Sequence, residues 1–340
     1  MATLLDGQVG HVRESTWGTP VTVTRFNEWD ASGGLKGDAG VKQASPLRVG
    51  AIGDRADREY TAGAASKGTL KFPLLTKGFG LWLESCFGGS TSTLVSGSTF
   101  QQVHQFIRTG TVLPPLTVQQ GHPLPDGTVH PYTFAGCTVE SFELEQPLND
   151  VVSLSMDLDG KGVPATATAL ATASYAATMS LFEFDQAAVT LGGTLTPPTT
   201  TALASVSGGT LVAGWRSFTL SADSQITDDR WGMSAAVRNQ PTYRKRDVTL
   251  KAQVEYDGAT LRDAYFARTS NPLLITWTTA EALSSGFATL QVVIPAFRVM
   301  TTFPPDATDG DIPIIDLEGK AFDNLTAMAY VVLRTADTTL

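Results

Sequence analysis

Paired carboxylates are the most regular residues in this chain that could do chemistry. Glu143 and Glu145 stand two residues apart, as do Asp157 and Asp159, within segments where polar and apolar residues alternate. Two carboxylates on either side of a bond are the machinery of glycoside hydrolysis. A spacing of two in an extended strand, however, puts both side chains on one face of a sheet. The pattern therefore favours a solvated sheet face over a hydrolytic site.

Other motifs that carry catalysis or cofactor binding are incomplete or missing. The glycine-rich stretch GGLKGDAG at 33–40 lacks the Gly-Lys-Ser/Thr ending of a phosphate-binding loop and precedes no predicted helix, so it predicts a flexible loop. The sequence contains no GxSxG, HExxH or CxxC motif. We therefore expect no enzyme activity and no cofactor.

Four histidines, His11, His104, His122 and His130, are the remaining candidates for metal ligands. Three of them lie in the stretch 88–131, which is rich in Gly, Ser, Thr and Pro. Imidazole is a common ligand of zinc, but the spacing of these residues fits no ligand motif. We expect solvated loop histidines and no bound metal.

Composition and charge exclude further classes of protein. Hydrophobic residues make up 42% of the 340 residues, which is enough for a core, and the length suggests two domains. The net charge of −9 argues against a protein that grips nucleic acid with clustered Lys and Arg. Cys86 and Cys137 lie in apolar surroundings and predict buried free thiols. Without a basic, apolar leader or an apolar run of ~18–20 residues, we expect cytoplasmic synthesis and no membrane anchor.

Alternation of apolar and polar residues predicts a mainly β chain. In 68–75, Leu70, Phe72 and Leu74 face one side of a strand. Residues 134–160 are typical of a long hairpin with one apolar and one acidic face. Residues 78–87 (GFGLWLESCF) predict a short helix with a broad apolar side.

The second half of the sequence repeats the plan of the first. Three pairs of segments correspond in the same order: 68–75 with 248–255, 78–87 with 258–268, and 152–161 with 311–320. Agreement of three elements in one order favours duplication over chance similarity.

We therefore expect two tandem β-sandwich or partial-barrel domains, each flanked by one short α-helix. Residues 21–29 predict a strand, and residues 30–58 predict a long polar loop. The expected boundaries are an N-terminal arm at 1–20, a first domain at 21–165 with an insertion at 88–131, a linker at 166–180, and a second domain at 181–340.

Three stretches carry a family resemblance. They are the opening VGHVRESTWGTPVTVTRFNEW, the strand–helix unit GTLKFPLLTKGFGLWLESCFGG, and the closing run IPAFRVMTTFPPDATDGDIPIIDLEGKAF. In these stretches the chain resembles the major tail tube proteins of long-tailed, siphovirus-type bacteriophages. The resemblance implies six tail-tube-like domains in a ring around an inner β-barrel, with rings that stack through loops and arms. A chain with two such domains would form its ring from three copies.

The resemblance also implies partners and a location. The main partner is the chain itself, as homotrimeric pseudo-hexameric rings or alternatively homohexamers, stacked into a tube. Further implied partners are the tape measure protein and the tail terminator and distal tail proteins. Genomic DNA would pass through without specific binding. The protein would be part of the virion tail and assemble in the host cytoplasm.

Under this resemblance, two groups of residues become candidates for function. The acidic sheet residues either line the lumen, where carboxylates repel phosphates, or face the outside of the tube; they are Glu143, Glu145, Asp157, Asp159, Asp316 and Glu318. The loops 30–58 and 223–247 are candidates for ring stacking; their charged residues are Lys36, Asp38, Lys42, Arg48, Asp54, Arg55, Arg58, Asp228, Asp229, Arg230 and Arg238.

Two other functions remain open from the sequence. One is another ring-forming tail, baseplate or injection-tube protein, which would form single rings instead of long tubes. The other is a glycan-binding β-sandwich on a virion surface, because the six tryptophans could stack on sugars. The tryptophans are scattered along the chain, however, and this favours packing in the core and at interfaces.

Overall fold

The computed structural model describes residues 6–46, 48–50, 52–108, 110, 112–212, 214–233, 235, 237–256, 259–304, 313–338 and 340. The fold is mainly β, as predicted: the described residues form twenty-one strands and two α-helices. The helices are α1 (Gly80–Phe87) and α2 (Thr260–Ala267). The strands are β1 (Gln8–Arg13), β2 (Arg25–Phe26), β3 (Asp30–Asp38), β4 (Val41–Gln43), β5 (Glu59–Thr61), β6 (Ala65–Pro73), β7 (Gly88–Ser96), β8 (Thr99–Phe106), β9 (Leu116–Pro123), β10 (Val129–Gln146), β11 (Ser153–Gly160), β12 (Ala187–Leu191), β13 (Thr194–Thr196), β14 (Ser205–Ser207), β15 (Thr210–Leu211), β16 (Trp215–Asp223), β17 (Asp247–Glu255), β18 (Asn271–Ala282), β19 (Phe287–Val299), β20 (Ile314–Ala321) and β21 (Tyr330–Thr335).

Eight antiparallel strands form one continuous sheet, which we call the eight-stranded sheet. Its order is β3–β6–β11–β10–β16–β17–β20–β19. Within the described part of the chain, the strand pairings never return to their starting strand, so the sheet is open. Among the described strands, β3 pairs only with β6 and forms one edge.

The eight-stranded sheet consists of two sets of four strands with the same internal order. The first set is β3, β6, β11 and β10, and the second is β16, β17, β20 and β19. In both sets the strand that comes third along the chain lies last in the sheet. A helix follows the second strand of each set: α1 follows β6, and α2 follows β17. The strands predicted at 68–75, 152–161, 248–255 and 311–320 and both predicted helices are confirmed in these elements. Residues 258, 311 and 312 of these predictions lie outside the described residues.

Two long strands connect the eight-stranded sheet to an outer layer. Residues 129–137 of β10 pair with β9, which in turn pairs with β1, whereas residues 138–145 pair with β11. The change of layer falls at a bulge near Gly136, whose φ of 66° suits glycine. Strand β19 similarly pairs with β18 and β21 in the outer layer before it meets β20.

The space between the layers holds the apolar core. Phe72, Trp82 and Phe142 are buried in the first half, and Phe218 and Trp277 are buried in the second. These side chains belong to one contiguous cluster that runs through both halves. Cys86 and Cys137 are buried free thiols, as predicted.

The strands near the N-terminus differ from the predicted ones. The stretch 1–20, predicted as an arm, contains β1; its residues 1–5 lie outside the described residues. Of the strand predicted at 21–29, only β2 forms, and the loop predicted at 30–58 begins with β3 and continues into the β4–β5 hairpin. These strands contain few apolar residues: Leu35 alone is a buried hydrophobic residue among those described in β3, so alternation could not reveal it.

The insertion predicted at 88–131 is narrower in the structure. Strands β7 and β8 form a hairpin that adds to β21, a strand of the second half. Strand β9 and the start of β10 instead build the outer layer of the first half. Their positions match those of β18 and β19 in the second half.

Two Ala- and Thr-rich segments lie across the outer layers, each held by a buried glutamine. Gln119 of β9 donates Nε2–H to the Ala169 carbonyl (3.0 Å) and accepts the Ala171 N–H (2.8 Å). Gln291 of β19 accepts the Ala204 N–H (2.8 Å) and donates to the Ala204 carbonyl (3.1 Å). The segment predicted as a linker, 166–180, is therefore anchored to the fold.

Candidate functional site

The polar face of the eight-stranded sheet is the most extended surface that strand alternation creates. On β10, β11 and β17, one face carries the buried residues Phe142, Met156 and Leu250. The intervening residues point the other way, and the outer layers and helices do not cover them. This second face is accessible across both sets of strands.

Three lysines at this face are paired with carboxylates of the same chain. Lys71 Nζ lies 2.6 Å from Glu145 Oε1, Lys67 Nζ lies 2.9 Å from Asp228 Oδ2, and Lys320 Nζ lies 2.5 Å from Asp247 Oδ1. The hydrogen bond to Glu145 raises the pKa of Lys71. In each of these pairs a neighbouring carboxylate offsets the charge of the ammonium group.

Hydroxyl groups satisfy several of the remaining carboxylates. Thr69 and Ser141 both donate to Asp157, at 2.6 and 2.7 Å. Ser221 donates to Glu143 at 3.2 Å, across the junction of the two sets of strands. The face is thus a mixture of small hydroxyl side chains and hydrogen-bonded carboxylates.

The structure brings five of the six acidic candidates together on this polar face. Glu143, Asp157, Asp316 and Glu318 are exposed, and Glu145 is half-buried. They extend from the first set of strands to the second. The sequence identified them because the alternation around them is regular.

Asp159 does not lie on the accessible polar face as predicted, and Arg238 does not lie on an exposed stacking loop as predicted. Asp159 is completely buried and forms an ion pair with Arg238, which is itself 3% exposed. Arg238 also donates to the carbonyls of Gly160 (2.9 Å) and Asp228 (3.1 Å). Burial raises the pKa of Asp159, and Arg238 opposes that shift. The described residues of the segment 224–246 cover the end of β11, so neither side chain is available on a free surface.

The other ten stacking candidates lie at one end of the eight-stranded sheet, which we call the loop end. There Asp38 pairs with Ala65, and Asp223 pairs with Asp247. The loop 223–247 contacts residues that follow the loop 30–58 in the chain: Lys67 pairs with Asp228, and a Cβ at Gly63 would meet the Trp231 ring at 2.6 Å. The ten residues are Lys36, Asp38, Lys42, Arg48, Asp54, Arg55, Arg58, Asp228, Asp229 and Arg230, and all but the half-buried Arg55 are exposed.

An apolar cavity of about 330 Å³ opens at the opposite end, which we call the turn end because β10 turns there into β11. Trp215, Phe218 and Trp277 form its base, and Leu211 and Val212 lie on its wall. Gln146, at the end of β10, also lines the cavity and accepts the Trp277 indole N–H at 2.9 Å. Sequence reasoning missed this cavity because its walls come from segments far apart in the chain.

The histidines form no metal centre. His11 stacks on Trp82, with ring centroids 4.2 Å apart, and burial lowers its pKa to about 3. His104 is also buried, lies 2.5 Å from the Ser90 hydroxyl and has its pKa lowered to about 3. The prediction of a solvated loop is therefore wrong for His104. No group of three or more potential metal ligands occurs among the described residues.

The described helices are too short to cross a lipid bilayer.

Comparison with known families gives one match. A family model described as "Phage tail tube protein" matches residues 5–321, which is nearly the whole chain. No curated protein matches the chain.

Proposed function

The chain belongs to the phage tail tube protein family, and from that premise we propose that it is the repeating subunit of a siphovirus-type tail tube. Its role is structural, in rings that stack into a hollow tube and conduct DNA during ejection. The observation that carries this proposal is the open, eight-stranded sheet with one buried apolar face and one accessible polar face.

The two sets of strands are, on this proposal, two copies of one tail-tube-like fold. Their equal strand order and the helix after each second strand support duplication. The sets join within the chain where β10 pairs with β16, from Ser141 opposite Asp223 to Gln146 opposite Phe218. This junction is a template for the contact between chains.

Ring closure repeats that junction between copies. Strand β3 has the position in the first set that β16 has in the second, and it pairs on one side only among the described strands. At the other edge, Val299 of β19 pairs with Gly319 of β20. Pairing β3 with the end of β19 in a neighbouring chain removes both open edges. Three chains then form a pseudo-hexameric ring; six chains are the alternative.

Closure also assigns the polar face to the lumen. The apolar face packs against the outer layers and helices, so the polar face is the one left to line a channel. Exposed carboxylates, together with the ion-paired Lys67 and Lys71, give phosphates little to hold. DNA can therefore pass without specific binding.

The remaining partners follow from the family. A tape measure protein would occupy the lumen before DNA, and tail terminator and distal tail proteins would meet the two ends of the tube. Assembly would take place in the host cytoplasm, and the finished tube would be part of the virion.

Electron microscopy of the purified chain tests the proposal. We expect negative-stain images to show long tubes with a central channel, and end-on class averages to show three-fold symmetry. Native mass spectrometry of single rings should give three chains. Single rings that never elongate would favour a terminator or baseplate protein, and monomers that bind a glycan array would favour the glycan-binding alternative.

A further inference from the structure

The loop end of the sheet carries an exposed apolar tip. Fifteen residues separate β4 from β5, and Val49 and Ile52 within them are 101% and 108% exposed. Aliphatic side chains with no protein contact at the end of a projecting hairpin are unfavourable in water, and such surfaces usually mark interaction sites. We therefore expect the hairpin tip to bind an apolar partner.

The turn end of the sheet carries an apolar cavity of suitable size. Its volume of about 330 Å³ is lined mainly by aromatic and aliphatic side chains. Trp215 lies at its base, and the buried indole N–H of this residue has no acceptor within the described chain. This lining favours an occupant with apolar side chains.

The first half of the molecule shows how the matching surface is covered. Strand β2 pairs with β1 as β15 pairs with β12, which places Phe26 in the position of Leu211. The Tyr175 ring lies against Phe26, with centroids 6.3 Å apart, and Phe26 is 7% exposed. Leu211, beside the cavity, is 67% exposed. The second half thus leaves open a surface that the first half covers with its own chain.

The hairpin tip and the cavity lie at opposite ends of the same strands. When a sheet closes into a barrel, its strand ends form the two rims. Resting on the proposed function, we propose that Val49 and Ile52, at the hairpin tip of a subunit in one ring, insert into the Trp215 cavity of a subunit in the next ring. The occupant of the cavity is a second copy of this chain. Since tip and cavity are different surfaces, the contact is heterologous and propagates without limit.

Two variants test this contact, each changing an exposed side chain so that folding is preserved. Ile52→Asp places a charge on the tip, and Leu211→Asp places a charge at the cavity mouth. We expect each variant alone to form rings of normal composition, with tube length in electron micrographs reduced at least tenfold. Leu325→Asp is the matched control, because Leu325 is 79% exposed and lies at neither surface; its tubes should have normal length.

Mixing the two variants gives the decisive result. Rings of Leu211→Asp keep a functional tip, and rings of Ile52→Asp keep a functional cavity. An equimolar mixture should therefore form stacks of two rings and no longer tubes. Normal tubes from Leu211→Asp alone, or a mixture that stays as single rings, would overturn the inference. Wild-type protein that forms no rings or tubes would instead contradict the proposed function.

Discussion

The ion pair of Asp159 with Arg238 shows how burial decides what a charged residue does. Asp159 lies two residues after Asp157 in β11, so alternation predicts both side chains on the same face. Asp159 is nevertheless covered by a segment that begins more than sixty residues later. Its negative charge is offset inside the protein and contributes nothing to an accessible face. The pair instead fastens the segment 224–246 to the end of β11.

Removing the cation of this pair should destabilise the subunit strongly. Arg238→Met leaves a buried carboxylate without a partner, and we expect the free energy of unfolding to fall by about 3–5 kcal/mol at pH 7. Urea denaturation measures the change. The double variant Asp159→Asn/Arg238→Met should recover most of the loss; equal losses in both variants would contradict this explanation.

The loss in free energy of unfolding caused by Arg238→Met should be smaller at acidic pH. Burial raises the pKa of Asp159 in the folded chain, so the folded state binds a proton more readily than the unfolded state does. Without Arg238 this effect grows, and stability is gained as pH falls. Denaturation curves of the variant at pH 7 and pH 4.5, compared with wild type, check the sign.

The buried histidines should make the unassembled subunit sensitive to acid. His11 and His104 have folded pKa values of about 3, below the ordinary value of 6.5. Below pH 6.5 the unfolded chain takes up protons that the folded chain does not, and the stability lost is about 1.4 kcal/mol per pH unit for each histidine. His104→Leu should reduce the loss between pH 7 and pH 5. His130→Gln, at an exposed position, should leave it unchanged.

At the scale of elements, two glutamine side chains anchor neighbouring segments, and local sequence patterns do not predict this role. Gln119 and Gln291 hold segments of low complexity flat against the outer layers. Both amides satisfy backbone groups that would otherwise be buried without partners. The Ala- and Thr-rich segments are thereby built into the fold.

Replacing Gln291 should free the segment around Ala204. Gln291→Leu removes the acceptor of the Ala204 N–H and the donor to its carbonyl, and we expect a loss of about 1–3 kcal/mol. Limited proteolysis should then cut first within 192–210. Gln105→Leu, at an exposed glutamine of β8, should keep the wild-type cleavage pattern.

The elements that the sequence predicted share one property. Strands β17 and β20 alternate strictly, and β6 and β11 alternate over most of their length, because one face is packed and the other is accessible. Strand β3 has glycines at positions where an alternating strand has apolar or polar side chains. Its extended conformation comes from pairing with β6. Asp159 and the Trp215 cavity depend on contacts between distant segments, which local patterns do not record.

At the scale of the whole molecule, the charge on the polar face should control DNA passage. Glu143→Lys/Glu145→Lys adds two cations and frees Lys71 from its partner, so a lumen lined by this face would attract phosphates. We expect tubes of normal length but DNA ejection slowed several-fold, with the delay relieved by salt. The same reversal at Asp263, on α2, should have no effect. Unchanged ejection from the double variant would place this face outside the lumen.

The β10–β16 junction has a consequence for the kinetics of assembly. A junction made within one chain forms without the translational and rotational entropy cost of bringing two molecules together. In a ring of three chains, half of the junctions between four-stranded sets are already made when each chain has folded. Nucleation then depends on a lower power of subunit concentration than it would for six separate chains. Joining the two sets therefore lowers the concentration threshold at which the first ring appears.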